Sequence, residues 1–389
     1  MRVVELNAYH VRIPLKRTIK HASHVRTETD NVVVRCVLSD RSQGFGEGLP
    51  RDYVTGETID SALDLLKRSD LAAQAESSRD FAAAVAFAER LTLAPIPGDE
   101  RGCMGNAARC ALELAILDAF GRAFGEPLSH VTRQVAPELY QPRERVQYSG
   151  IIASAKGLKA RAAVGVMRLY GFRQIKVKVG IPGYNDATRL RAIRRWAGRK
   201  MDLRVDANEA WTPADAATRI RELQPFRISS VEQPVRHEDL AALADIRREV
   251  QLPIMLDESL CGMRDAETAV EKKACDLFNL RLSKCGGLIP SLRLAQFAKQ
   301  HGLGYQLGCQ VGETAILSAA GRAFAASVAD VRSAEGSYDR HLVHTALGTT
   351  DLTFRRGGFA PLLVGSGLGV DIDEAALNQV TVRKERLLG

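Results

Sequence analysis

A repeat constrains this chain more than any other feature. From residue 147 onward, short apolar stretches of strand character return about every 26 residues: QYSGIIA (147–153), QIKVKVG (174–180), DLRVDAN (202–208), ISSVEQP (228–234), IMLDESL (254–260), LFNLRLSKCGG (277–287), GYQLGCQVGE (304–313) and VRSAEGS (331–337). Helical stretches lie between them, such as WTPADAATRIRELQ, where a proline stands in the first turn. Eight strands alternating with seven helices predict an α/β fold, a modified TIM barrel of the (β/α)7β type whose final helix is missing or altered. A doubly wound open sheet is the other architecture with this alternation, but no GxGxxG phosphate turn follows the first strand.

The chain is organised differently upstream. VVELNAYHVRIP, DNVVVRCVLSD and GFGEGLP alternate like the strands of an antiparallel meander. ETIDSALDLLKR, SSRDFAAAVAFAERL and NAARCALELAILDAFGRAFG then carry apolar residues at three- and four-residue spacing, and GEP stops the last of them. Strands followed by helices predict an α+β unit over 1–143, joined to a barrel over 144–360. The turn-rich remainder, 361–389, is expected to fold back on the first unit.

Charge placement follows the repeat. In QIKVKVG the apolar Ile175, Val177 and Val179 alternate with Lys176 and Lys178, so both lysines share one face of the strand. A central barrel strand is covered on both faces, and buried ammonium groups there need carboxylates. Asp206, Glu232 and Asp257 end the next three strands at intervals of 26 and 25 residues, with Lys178 28 residues before Asp206 and Lys284 27 residues after Asp257. Strand ends in one phase of a barrel converge on one mouth. Any single Asp after a strand is commonly a helix N-cap. Three carboxylates in phase, without His or Cys, suit a hard divalent cation, Mg²⁺ first and Mn²⁺ second.

The formal net charge of +8 raises the question of nucleic acid. The densest basic stretch, RLRAIRRWAGRK, reads as the solvated face of an amphipathic helix, and no nucleic-acid-binding motif accompanies it. No apolar run reaches the length of a membrane span. Seven scattered cysteines without a CxxC pair fit reduced thiols in a cytoplasm better than a disulfide framework. A small anionic substrate, with neither nucleic acid nor membrane as partner, is the expectation.

KVK (176–178), VDAN (205–208), VEQP (231–234), LDES (256–259) and SKCGG (283–287) together resemble the enolase superfamily, in its muconate-lactonizing branch of the mandelate racemase/muconate lactonizing enzyme family. GEGLP and YVTGET resemble that family's substrate-facing capping loops. The resemblance implies a cytoplasmic, homo-oligomeric isomerase. Asp206, Glu232 and Asp257 would ligate Mg²⁺, while Lys178 and Lys284 exchange the proton α to a substrate carboxylate. Lys176 would contact that carboxylate, and Glu335, Gln310, His21 and Tyr53 would line the substrate site, with Glu313 nearby and residues 20–26 as a lid. The seventh strand end, GCQVGET, lacks the histidine of a mandelate-racemase-type site. A lone Glu335 in AEGSYD, where dipeptide epimerases carry DxD, favours a muconate cycloisomerase. The alternatives are a dipeptide or N-acyl amino acid epimerase and a succinylbenzoate-type dehydratase.

Overall fold

The computed structural model describes residues 1–20, 25–153, 155 and 157–389. Three antiparallel strands begin the chain: β1 (Val3–Lys20), β2 (Val25–Leu38) and β3 (Gln43–Gly48). Val32, Val33 and Val34 of the central β2 are fully buried, as a strand covered on both faces requires. Helices Ile59–Arg68, Phe81–Arg90 and Asn106–Phe124 follow, each where the apolar spacing predicts it.

Helix Asn106–Phe124 is apolar nearly all round and lies against β3 as the core of this unit. Its close approach needs the alternating glycines of QGFGEG. A Cβ at Gly44, Gly46 or Gly48 would stand about 2 Å from the helix backbone, at Ala119 N, Ala111 O and Ala107 O respectively. The glycines thus fit a stripe of alanines four residues apart.

The chain then forms β4 (Arg145–Gln147) and eight parallel strands: β5 (Gly150–Ile152), β6 (Gln174–Lys178), β7 (Asp202–Asp206), β8 (Ile228–Glu232), β9 (Ile254–Leu256), β10 (Leu277–Leu280), β11 (Gly304–Leu307) and β12 (Val331–Ala334). Each falls within a predicted segment. The sheet curls until Tyr148, just before β5, lies opposite Ala334 in a parallel bridge, and the Ser149 N–H donates to Ala334 O at 2.8 Å. After β12 the only helix before residue 355 among the described residues is the short Asp339–Leu342. The chain returns through β13 (Phe359–Pro361), paired with β4, and ends in β14 (Thr381–Leu388). β14 joins the N-terminal sheet at its edge beside β1, where Arg383, Lys384 and Arg386 keep that edge charged. No helix among the described residues is long and apolar enough to cross a membrane.

Two buried glutamates hold the seam, and a third caps a helix beside it. Glu47 of β3 accepts from the Thr314 N–H at 3.1 Å, the Thr314 hydroxyl at 2.8 Å and the Leu317 N–H at 3.1 Å, which caps the barrel helix Ala315–Ser327. Glu113 accepts from the Ile289 N–H at 3.0 Å at the start of the barrel helix Leu288–Gln300. Glu57 accepts from the Ala107 N–H at 2.9 Å at the head of Asn106–Phe124. Helix N-termini attract such carboxylates, so the two stretches expected to face substrate also contribute helix caps.

Burial pushes Glu47, Glu57 and Glu113 each up to about 7 against their hydrogen bonds. An acid whose pKa is raised by folding binds its proton more tightly in the folded state. Its stabilisation is therefore full below the ordinary carboxylate range and is lost as pH climbs from there to about 7. His237, raised by its hydrogen bond to Glu209, acts in the same direction. The metal-free protein is expected to resist urea better near pH 5.5 than near pH 7.5, by up to about 1.4 kcal/mol per pH unit for each group. A midpoint that stays flat or rises toward pH 7.5 would show that the caps remain ionised.

Candidate active site

Strand register assembles the site. Lys178, Asp206 and Glu232 lie side by side on β6, β7 and β8, and Asp257 follows β9 directly. Lys284 follows β10, four strands from β6 in a sheet of eight, so the two lysines approach the mouth from opposite sides. All three carboxylates are buried, Asp206 at 1% exposure and Glu232 and Asp257 at 0%.

Cations cross-bridge these acids. Lys176 Nζ stands 3.4 Å from Asp206 Oδ2, 3.4 Å from Glu232 Oε1 and 2.9 Å from Glu335 Oε2. Arg281 pairs with Asp257 Oδ2 and lies 3.6 Å from Glu232 Oε1, to which the Asn279 amide also donates at 2.8 Å. Burial and then the charge of Asp206 push Glu232 up to about 8, with Lys176 opposing. Burial would raise Asp257 too, but Arg281 and Lys284 hold it well below the ordinary range.

The donor set fits a hard cation: carboxylate oxygens only, one of which, Asp206 Oδ2, is buried without a hydrogen bond despite its ion pair. Among the described residues no three His, Cys, Asp or Glu side chains already stand in coordinating geometry. Lys176 and Arg281 stand among these carboxylates and would compete with a cation for their oxygens.

The lysines differ in surroundings. Lys178 Nζ donates to Asn208 Oδ1 at 2.5 Å, and Asn208 in turn faces Glu258 Oε1 at 3.4 Å. Lys284 is sealed in, donating to Asp257 O at 2.6 Å, Asn279 O at 3.0 Å and Asp257 Oδ1 at 3.0 Å. Burial is the largest influence and lowers its pKa, but the Asp257 charge together with the neighbouring Cys285 and Cys261 makes the net shift upward.

The outer residues differ in what they meet. Glu335 is buried with both oxygens engaged, by Lys176 and by Arg204 Nη2 at 2.7 Å. Gln310 is buried with Oε1 unpartnered, and Glu313 accepts from its backbone N–H at 2.6 Å. Tyr53 lies at the seam under the Arg26 guanidinium, 5.4 Å from the ring centre. His21 falls outside the described residues.

Sequence reasoning missed Arg281, Arg204, Asn208 and Asn279. Arg204 and Asn208 carried a signal, since each stands two places from Asp206 and so on its face of the strand. Gln233 was quoted only inside a motif. Its Oε1 accepts from the Asp257 and Ser259 N–H groups at 2.9 and 3.1 Å and so holds the Asp257 loop.

Residues 159–376 match the family model described as "Enolase C-terminal domain-like". The chain is 28% identical over 385 residues to the N-succinyl-L-Arg/Lys racemase of Bacillus cereus, covering 98% of both chains. A solved structure of that racemase superposes with a TM-score of 0.85 at 26% identity, covering 99% of this chain and 100% of the other. The hydrophobic dipeptide epimerase of Enterococcus faecalis is 30% identical over 86% of this chain and 90% of its own length. The dipeptide epimerase of Cytophaga hutchinsonii, solved with Mg and D-Ala-L-Val, gives a TM-score of 0.83 at 25% identity over 100% of both chains.

These relatives are racemases and epimerases, so the expectation of a muconate cycloisomerase finds no support among them. That expectation leaned on a lone Glu335 where dipeptide epimerases carry DxD, and in the structure Glu335 is paired with Lys176 and Arg204. With the fold, the ring of strand-end charges and the match across most of its length, the chain belongs to the enolase superfamily, in its mandelate racemase/muconate lactonizing enzyme family, as an isomerase.

Proposed function

We propose that this protein racemises N-acylated amino acids, with N-succinyl amino acids as the leading class. The carrying observation is the pairing of two lysines on opposite strands of the mouth with a Glu335 that has no free oxygen. Racemisation at an α-carbon needs a base on one face and an acid on the other. Lys178 and Lys284 supply that pair.

The choice of N-acyl over dipeptide follows from charge. A dipeptide carries a free ammonium that wants an acidic partner. The carboxylate expected to meet it is held well below its ordinary range by Lys176 and Arg204, against burial, and an incoming ammonium would have to displace both. An N-acyl group is neutral at nitrogen and makes no such demand.

Asp206, Glu232 and Asp257 would hold Mg²⁺, which when bound supplies positive charge against the substrate carboxylate as the α-carbon gives up its proton. Lys284 is an ammonium while Asp257 faces it, and its pKa falls once that carboxylate is engaged by another cation. Lys178 is oriented by Asn208.

Proton NMR in D₂O with Mg²⁺ tests the reading on N-succinyl amino acids, N-acetyl amino acids, L,L-dipeptides and cis,cis-muconate. Deuterium should enter the α-position of both enantiomers of the N-acyl substrates and much more slowly that of dipeptides. Brisk exchange of dipeptides with silent N-acyl substrates would favour the epimerase reading, and lactone from muconate would restore the cycloisomerase.

A further inference from the structure

Two cysteines meet across the seam, beside the acid/base cluster. Cys103 precedes helix Asn106–Phe124, and Cys261 lies four residues beyond Asp257 on the loop after β9. They are 3% and 0% exposed. With Val54 they form a small apolar cluster separate from the main core, against which Tyr53 packs. The two side chains meet within that cluster. Each also touches a carbonyl just behind Tyr53: Cys103 Sγ lies 3.8 Å from Thr55 O, and Cys261 Sγ lies 3.8 Å from Val54 O.

One of the two is chemically unlike the other thiols. Cys36, Cys110, Cys275, Cys285 and Cys309 are each pushed up by burial. Cys103 is pushed up as well, first by its neighbour Cys261 and then by burial. Cys261 alone is lowered, first by the Cys103 thiol and then, against burial, by the positive charges of Arg101 and Lys284. A thiolate-prone cysteine in contact with a second thiol is the arrangement of an attacking and a resolving sulfur.

We propose that Cys103 and Cys261 form an oxidisable dithiol, a modification site whose disulfide ties the Tyr53 loop and its helix to the loop that carries Asp257. Hydrogen peroxide is the oxidant. The Cys261 sulfur attacks one peroxide oxygen, the O–O bond breaks, and the released hydroxide takes the proton Cys261 gave up, leaving a sulfenic acid and one water. The Cys103 sulfur then attacks the Cys261 sulfur. The S–O bond breaks, and the departing hydroxide takes the Cys103 proton as a second water. Two electrons pass from the two sulfurs to peroxide, and no metal or substrate takes part. The site is independent of the reaction proposed above.

The test uses the full chain, treated with hydrogen peroxide, alkylated without reduction, digested and mapped by mass spectrometry. The expected product is a pair of peptides joining Cys103 to Cys261, lighter than their sum by two hydrogens and separated by dithiothreitol. The backbone amides around Val54 and Leu260 should gain on the order of tenfold protection from hydrogen exchange in the oxidised protein. In Cys103→Ser the oxidation should stop at a Cys261 sulfenic or sulfinic acid. In Cys261→Ser, Cys103 should remain a free thiol. Recovery of both wild-type cysteines as free thiols, or a bridge from either to a different cysteine, overturns the proposal. The wild-type map decides this even if a variant fails to fold.

Discussion

Lys178→Ala and Lys284→Ala are each expected to lose the proposed racemisation by at least about 10³-fold, yet each should retain α-proton exchange for one enantiomer, and the retained enantiomers should be opposite. The reason is the separation of the two lysines by four strands in a sheet of eight. A substrate lying between them shows one face to each. A variant keeping one lysine can withdraw a proton from that face and return solvent deuterium to it, but cannot deliver to the other. NMR in D₂O on each pure enantiomer, alongside chiral analysis of the product, measures both halves. Racemisation surviving in either variant would remove that lysine from the chemistry. Exchange of the same enantiomer by both variants would mean the lysines do not flank the substrate.

Glu47→Ala is expected to destabilise the protein by about 3 kcal/mol or more, because it strips a buried acceptor from several donors at once. The Thr314 N–H, the Thr314 hydroxyl and the Leu317 N–H lose their partner, and the Asn31 amide, which donates to the same carboxylate at 2.7 Å, loses one of two acceptors. Loss of the cap also exposes the positive end of helix Ala315–Ser327 inside the seam. Glu47→Gln keeps an acceptor oxygen and should cost much less. Urea unfolding of the three proteins measures the series. A Glu47→Ala loss below about 1 kcal/mol would show that water satisfies those donors.

Much of the fold was legible because its two periodicities are strong. The eight barrel strands fall inside the stretches named from alternation, and the three long N-terminal helices inside those named from three- and four-residue spacing. The C-terminal fold-back was expected, but not that it would end in a strand. TVRKERLL alternates weakly and is heavily charged, as an edge strand should be, and only its pairing with β1 makes it one. The glycines of QGFGEG read in sequence only as every second residue of a strand. Their purpose, a seat for the helix backbone, needs the helix.

The site divides in the same way. The sequence by itself determined which residues share the mouth. In a barrel the strand end is a position in the repeat, so Lys178, Asp206, Glu232, Asp257 and Lys284 could be placed together by counting. Only the tertiary structure decided what each of them faces. Glu335 was expected to line the substrate site and is paired with Lys176 and Arg204, while Arg281, which no motif marked, bridges toward two of the three carboxylates. The physical reason is that phase in a repeat sets which end of a strand a side chain occupies. The partner it meets in the low-dielectric interior depends on side chains arriving from strands far away in the chain, and their reach is not written in any local period.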